Sequence, residues 1–178
     1  ARSLDGYRQY YERWVQAWEL QSLLRARPIA GDTALGARFI DLVEPFVYRD
    51  PFPPADAREI RRIKARVERE RIPPGEDPEF HLKLGKGGLT DIEFTVQLLQ
   101  LEHGAAHPDV REPSTTGALH RLASRGILEA DDATVLLEAY RFCERARNAR
   151  YLITGKAGDA LPAGADGLRL GRLLGYVH

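Results

Sequence analysis

A glycine-rich turn in front of a predicted helix is the segment of this sequence with the clearest chemical potential. Residues 83–94 read KLGKGGLTDIEF, in which Lys83 and Lys86 accompany glycines that include Gly87 and Gly88. Glycines before a helix let the backbone approach an anion closely, and the free amides at a helix N-terminus favour phosphate. The two lysines would add positive charge. The segment is therefore a candidate phosphate-binding turn, although it lacks the Gly-Lys-Ser/Thr ending of a P-loop.

The same segment also has a purely structural interpretation. Thr90 and Glu93 have the spacing of a capping box, in which the hydroxyl accepts an amide of the first helical turn and the carboxylate returns to the cap amide. On spacing alone we favour this interpretation, because glycine-rich turns before helices are common. Asp91 and Glu93 lie about 200° apart around a helix and would not share a metal ion. Asp91 is instead expected to reach a neighbouring group.

Two arginines form a second candidate pair. Arg25 and Arg27 alternate with Leu24 and Ala26, and the proline that follows favours an extended backbone. In a strand both guanidinium groups would point to the same side. Two such groups on one face suit either a polyphosphate or a network of carboxylates, and the sequence leaves both open.

A basic helix is predicted from about Asp56 to Arg71. Its arginines are interleaved with Glu59, Glu68 and Glu70, so a solvated face is the favoured interpretation and a phosphate or acidic protein surface is the alternative. RNA binding is the weakest possibility, because 26 Lys and Arg residues are balanced by 26 Asp and Glu residues over the chain.

The composition indicates an ordinary folded domain. The chain has 178 residues, of which 43% are hydrophobic and 29% charged, and this is enough apolar residue content to bury a core. Cys143 is the single cysteine, so neither a disulfide framework nor a cysteine zinc site can form. No apolar run is long enough to span a membrane, and a cytoplasmic location is expected.

The elements that must position these residues are mostly helices. Apolar spacing predicts six or seven helices and little strand, hence a mainly α bundle. Tyr7, Tyr11, Trp14 and Trp18 form one stripe, which we interpret as core rather than as a base-stacking platform. The predicted helices span 3–24, about 32–46, 56–71, 91–103, 114–125, 131–153 and 168–176, with 23–29 and 80–84 extended.

Three segments taken together are more specific than any of them alone. They are 18–27 (WELQSLLRAR), 58–64 (REIRRIK) and 82–97 (LKLGKGGLTDIEFTVQ). In order and spacing they resemble the bacterial bifunctional glutamine-synthetase adenylyltransferase/adenylyl-removing enzymes, of an actinobacterial type. The resemblance covers roughly residues 2–176, and the first segment is more similar to the adenylyl-transferring half.

The resemblance implies a large cytoplasmic enzyme with two polymerase-β-like nucleotidyltransferase domains, each followed by helices. One half would transfer AMP from ATP to a tyrosine of glutamine synthetase, and the other would remove it by phosphorolysis. The full-length enzyme would use Mg²⁺ and ATP. Its implied partners are glutamine synthetase and a PII signalling protein, with no nucleic acid and no membrane.

The metal-binding part of that family is not found in this sequence. The family's site needs a Gly-Ser-rich turn, an Asp-x-Asp pair and a third Asp that precedes a segment like 2–4, and the two Mg²⁺ ions held there position the triphosphate. We therefore expect a fragment that begins after the metal ligands, binds no cofactor alone and is inactive by itself. Residues 1–50 would be the C-terminal remnant of the nucleotidyltransferase domain, and 51–178 a helical bundle domain.

No catalytic residue and no metal ligand is carried over from the resemblance. The candidate nucleotide- or phosphate-binding residues are Arg25, Arg27, Lys83, Lys86, Gly87, Gly88 and Asp91. The alternative to an enzyme fragment is a stand-alone helical protein-interaction module that binds through 58–71 or the long helix near the C-terminus.

Overall fold

The chain is described by a computed structural model over residues 3–176, and this part of the chain contains eight α-helices and no β-strand. The predicted mainly α class is confirmed. The helices are α1 (Leu4–Arg13), α2 (Ala17–Leu23), α3 (Thr33–Val47), α4 (Pro54–Arg71), α5 (Leu89–His103), α6 (Thr115–Ser124), α7 (Ala130–Thr154) and α8 (Gly164–Leu174). Single 3₁₀ turns lie at Pro78–Phe80 and Pro108–Val110.

The helices form two compact units that interleave along the chain. Within the described residues, the first unit comprises 3–63 and 96–128, and the second comprises 64–95 and 129–176. The predicted division of the chain at residue 50 stays a prediction, and its outer limits at residues 1 and 178 lie outside the described residues.

In the first unit, the core between α1 and α3 is aromatic and aliphatic. Tyr11, Leu42 and Val43 are buried at its centre, and the Tyr7 ring meets the edge of Phe39 at a centroid distance of 5.4 Å. Both helices begin at side-chain caps, because Ser3 accepts the amide of Gly6 and Asp32 accepts that of Leu35.

The prediction of one helix over 3–24 is wrong. α1 ends at Arg13 and α2 begins at Ala17. The apolar face of α1 therefore does not continue into α2. Trp14 and Trp18 are 67% and 49% exposed, and only the tyrosine half of the predicted stripe lies in the core. The Tyr10 hydroxyl donates to the carboxylate of Glu19 at 2.8 Å and thereby links the two short helices.

The predicted extended segment 23–29 is also corrected, because Leu23 still belongs to α2 and residues 24–25 form a turn. The chain turns directly after α2, where the Ala26 amide donates to the Leu23 carbonyl at 2.9 Å. Leu24 is buried in this turn, whereas Arg25 and Arg27 lie at its outer positions. A local turn satisfies the backbone here, so no strand partner is needed.

In the second unit, α7 and α8 pack against each other, and the Phe142 and Tyr176 rings meet edge-to-face at 5.9 Å. α7 is capped at its C-terminus by Gly155, which has a φ of 65° and so adopts the left-handed conformation that glycine favours. Of the predicted extended stretch 80–84, only His81 forms an isolated bridge, to Ala160.

Candidate functional site

The glycine-rich turn is held by four backbone hydrogen bonds. The Gly85 amide donates to the His81 carbonyl at 2.8 Å, and the Gly88 amide donates to the Gly85 carbonyl at 2.9 Å. The Leu89 and Thr90 amides donate to the Leu82 and Lys83 carbonyls at 3.0 and 2.9 Å. The entry into α5 is therefore a fixed structure of the second unit.

Two of its glycines are required by close approach of the backbone. A Cβ at Gly85 would lie 2.4 Å from the Pro78 carbonyl oxygen, and one at Gly88 would lie 2.7 Å from that of Leu82. Gly87 has open space around it but a φ of 73°, which L side chains rarely adopt.

Asp91 occupies the anion position of this turn with its own carboxylate. Its Oδ2 accepts the Gly87 amide at 2.7 Å, and its Oδ1 forms an ion pair with the Nζ of Lys64. Lys64 also donates to Glu68 at 2.6 Å. The carboxylates of Asp91 and Glu68 thus already pair with Lys64, and Asp91 also accepts the Gly87 amide, which a bound phosphate would otherwise contact.

The titration behaviour of the pair follows from these contacts. Burial alone raises the pKa of Asp91, but the hydrogen bonds from Lys64 and the Gly87 amide outweigh it and lower the pKa below its ordinary value of 3.8. Burial alone lowers the pKa of Lys64, but the bonds to Asp91 and Glu68 outweigh it and raise the pKa above 10.5. Both groups are therefore charged at neutral pH.

The predicted capping box of Thr90 and Glu93 is wrong. α5 begins at Leu89, so Thr90 is already its second residue. Glu93 accepts the Tyr140 hydroxyl at 3.3 Å on α7. The carboxylate that reaches back to the turn before the helix is that of Asp91, which accepts the Gly87 amide.

The two lysines of the turn face different cavities of the second unit. Lys86 is exposed beside a cavity of about 850 Å³, together with Arg69 and Asp77. Lys83 lies at a cavity of about 610 Å³ that also meets Arg71 and His81. The structure thus brings Lys83, Lys86, Gly87, Gly88 and Asp91 into one turn but does not aim the two lysines at one point.

His81, Arg71 and Thr90 are polar residues of this region that the sequence reasoning missed. His81 is 4% exposed, and its Nδ1 accepts the Leu84 amide at 3.0 Å, which leaves the proton on Nε2, 3.4 Å from Oε2 of Glu76. The partners of His81 lie within five residues of it, but no ligand-like spacing of histidines in the sequence indicated that its side chain would be buried and bonded.

The predicted arginine pair belongs to the first unit and does not share one face. Arg25 donates through Nη2 to Oγ1 of Thr115 at 2.5 Å. Arg27 lies at a separate cavity of about 810 Å³, whose wall also includes Asp32 and Phe39. Side chains two residues apart point to the same side only in an extended strand. Because residues 24–25 form a turn, the guanidinium groups of Arg25 and Arg27 are not aligned in this way.

Within residues 3–176, no three His, Cys, Asp or Glu side chains lie close enough together to hold a metal ion. Over the same residues, none of the helices is both long enough and apolar enough to cross a membrane.

Comparison with known proteins decides the family. The family model described as GlnD PII-uridylyltransferase matches residues 58–178, more than half of the chain, and the model described as glutamate-ammonia ligase adenylyltransferase matches residues 1–41. A bifunctional glutamine synthetase adenylyltransferase/adenylyl-removing enzyme of Streptomyces avermitilis is 50% identical over 177 residues, 98% of this chain. The chain belongs to the family of the first model, and over almost its whole length it is related to the adenylyltransferase/adenylyl-removing enzymes.

Further relatives with the same description show the same pattern. The protein of Leifsonia xyli is 52% identical over 161 residues, and that of Mycobacterium avium is 49% identical over 162 residues, in each case over 90% of this chain. The chain spans only 16% to 18% of the length of these three relatives. The family resemblance inferred from 18–27, 58–64 and 82–97 is thus confirmed.

Proposed function

We propose that this chain forms a helical region of an enzyme that transfers AMP from ATP to a tyrosine of glutamine synthetase and removes it by phosphorolysis. The observation that carries the proposal is the identity of about half of all residues to such enzymes over 98% of the chain. The cytoplasm is the proposed location, because both proposed substrates, ATP and glutamine synthetase, are found there. The reaction would regulate nitrogen assimilation.

We assign the chemical step to parts of the longer relatives that this chain does not match. The described residues offer no cluster of metal ligands, so they do not fit the Mg²⁺ ions that would position the triphosphate of ATP. The helical region would support and orient the catalytic domain, and the chain alone would not transfer AMP. The resemblance of 18–27 favours the adenylyl-transferring half.

The candidate nucleotide contacts divide into two kinds. Lys83 and Lys86 carry charges that a phosphate could approach, since both are exposed. Gly87, Gly88 and Asp91 would act through the shape of the turn, because Asp91 already binds the Gly87 amide. Arg25 and Arg27 are proposed only as a further cationic site of the first unit.

A second partner is proposed from the matched family model. That model is described as a PII-uridylyltransferase, and the name refers to a PII signalling protein as its target. We propose that the region 58–178 of this chain meets a PII protein when the enzyme senses nitrogen status.

The function is tested by a chimera. The matched segment of the Streptomyces avermitilis relative is replaced by this chain, and the chimera is assayed with glutamine synthetase for AMP transfer and AMP removal. At 50% identity we expect transfer within about tenfold of the parent. The control carries this chain with Gly85→Val, which forces a side chain against the Pro78 carbonyl and should abolish the support.

Two results would contradict the proposal. One is a folded chimera that neither transfers nor removes AMP, which would favour a separate protein-interaction module. The other is AMP transfer by the isolated 178-residue chain with Mg·ATP, which would show that the catalytic groups lie within it.

The nucleotide contacts need their own test. Calorimetric titration of the chimera with Mg·ATP is repeated with Lys86→Gln and with Arg66→Gln, an exposed arginine of α4 that lines none of the three cavities described above. If Lys86 meets the phosphates, the first variant weakens binding and the second does not. Equal effects would remove Lys86 from the site.

A further inference from the structure

The solvent-exposed side of α4 consists largely of arginine. α4 (Pro54–Arg71) is one continuous helix, and the structure describes all of it. Its exposed charged residues are six arginines and a single acidic residue, Glu70. The other acidic residues of the helix, Asp56, Glu59 and Glu68, are partly buried. The interleaving of arginine and glutamate in the sequence therefore does not persist at the surface of the helix.

Four of these arginines form one line along the helix, because residues three or four positions apart are neighbours on a helix surface. They are Arg58, Arg62, Arg66 and Arg69, and together they are called the arginine stripe. From the pitch of an α-helix, the stripe covers about 80° of the circumference and about 17 Å of the axis. Ile60, which is 1% exposed, lies on the opposite side of the helix. The stripe therefore points away from the core.

Two glutamates that could neutralise the stripe do so only weakly or not at all. Glu68 accepts Nζ of Lys64 at 2.6 Å and so is already engaged with another residue. Glu59 lies 3.9 Å from Nη2 of Arg62, which is beyond hydrogen-bond distance. The Arg62 side chain remains 81% exposed, so solvent screens this contact.

The stripe consequently keeps most of its positive charge. Arg69 donates to Glu70 at 3.0 Å, but both side chains are more than half exposed. Arg58 and Arg66 form no ion pair or hydrogen bond with the described part of the chain. Like charges four residues apart also destabilise a helix. A partner that places carboxylates opposite the stripe would remove this repulsion.

The residues around the stripe favour protein carboxylates over a nucleic acid or a membrane. A guanidinium group binds a carboxylate through two parallel hydrogen bonds. Binding of single-stranded nucleic acid relies on aromatic side chains that stack on bases, and α4 contains no aromatic residue. Helices at membrane surfaces insert large apolar residues, whereas the exposed apolar residues of α4 are Pro54, Ala55 and Ala65.

We propose that the arginine stripe is a docking surface for an acidic segment of a partner protein. Its four guanidinium groups match carboxylates that are spread over about three helical turns of such a segment. Complementary charges of this kind accelerate association and select the partner. The surface is independent of the transfer reaction proposed above.

The test measures binding of the whole 178-residue chain to a labelled oligoglutamate peptide of about twelve residues, which as a helix is about as long as the stripe. Fluorescence anisotropy should show saturable binding that weakens as salt is added, because ions screen exposed charges. The double variant Arg62→Gln/Arg66→Gln should raise the Kd about tenfold or more, since it removes the two central guanidinium groups.

A matched control removes the same charge from another helix. Arg141 and Arg145 are exposed and lie four residues apart on α7, as Arg62 and Arg66 do on α4. The control Arg141→Gln/Arg145→Gln should change the Kd by less than about twofold, so it separates the stripe from an effect of net charge. Both double variants should keep the melting temperature of the wild type, because all four positions are exposed.

The proposal is overturned by the absence of saturable peptide binding or by equal effects of the two double variants. Tighter binding at the stripe of a single-stranded RNA of equal charge, or of vesicles that contain phosphatidylserine, would also overturn it and assign the stripe to a nucleic acid or a membrane. Self-association in sedimentation velocity that Arg62→Gln/Arg66→Gln abolishes would assign the stripe to a second copy of the chain instead. None of these outcomes bears on the chimera that tests adenylyl transfer.

Discussion

Lys64 on α4 and Asp91 on α5 form an ion pair in which the second carboxylate oxygen of Asp91 accepts the Gly87 amide at 2.7 Å. One carboxylate therefore joins two helices and the glycine-rich turn of the second unit. Both side chains are about one quarter exposed, so solvent screens the pair only in part.

Removing either partner of this pair should destabilise the chain. We expect Lys64→Met and Asp91→Asn each to lower the free energy of unfolding by about 1–2 kcal/mol at neutral pH, because each breaks charged hydrogen bonds. Denaturant unfolding of both variants and of the double variant measures the coupling. Strictly additive losses would show that the two groups do not stabilise each other.

The contribution of the pair should depend on pH at both ends of the scale. The pKa of Asp91 is lowered from 3.8 by folding, so its stabilisation is present above that value and is lost as pH falls through the folded pKa. The pKa of Lys64 is raised from 10.5, so its stabilisation is present below 10.5 and is lost as pH rises further. The stability difference between the wild type and Asp91→Asn should therefore shrink in acid; a constant difference down to pH 3 or below would contradict this.

The glycines of the turn should differ in their tolerance of alanine. Gly88→Ala places a Cβ 2.7 Å from the Leu82 carbonyl oxygen, so the backbone must move, and we expect a loss of about 2 kcal/mol. Gly87→Ala meets no atom and costs only the strain of its positive φ, about 1 kcal/mol. Thermal unfolding compares the two, with Gly87→Asn as the control that tolerates this φ better. The opposite order would contradict the turn geometry.

Gln100 should be sensitive to loss of its amide. It is 3% exposed, and its Nε2 donates to the carbonyls of Val110 and Glu112 at 2.7 and 2.8 Å. Gln100→Leu leaves these carbonyls without a donor, and we expect a loss of about 1–3 kcal/mol. The exposed Gln9→Leu serves as control and should change stability by less than about 0.5 kcal/mol. Similar melting temperatures for both variants would refute the role of Gln100.

Tyr48 should ionise at a higher pH than an ordinary tyrosine. Burial raises its pKa from 10.0 to about 12, because the phenolate would lose solvent. The unfolded chain would ionise first, so this residue costs stability as pH rises above 10. Ultraviolet absorbance after a pH jump, recorded before unfolding, measures the titration. Tyr48→Phe should remove the final step of the curve, and an unchanged curve would contradict the assignment.

Local features of the sequence determined most of the helices. The caps at Ser3, Asp32 and Ser114 and the glycine after α7 are each signals that act within one turn of helix. For this reason the bounds of α3, α4, α6 and α7 lie within about two residues of their predictions. The family, likewise, could be inferred from three short segments because they keep their order and spacing.

Tertiary structure decided what those segments do. The periodicity of the sequence did not indicate the break between α1 and α2. It also gave no sign of two side-chain contacts between distant residues, the hydrogen bond from Arg25 to Thr115 and the ion pair of Lys64 with Asp91. The choice of Asp91 over Glu93 as the group that reaches the turn depends on where α4 and α7 supply Lys64 and Tyr140. The cavity that Arg71 and Lys83 line has the same origin, because it exists only once α4, the turn before α5 and the loop 157–159 have packed together.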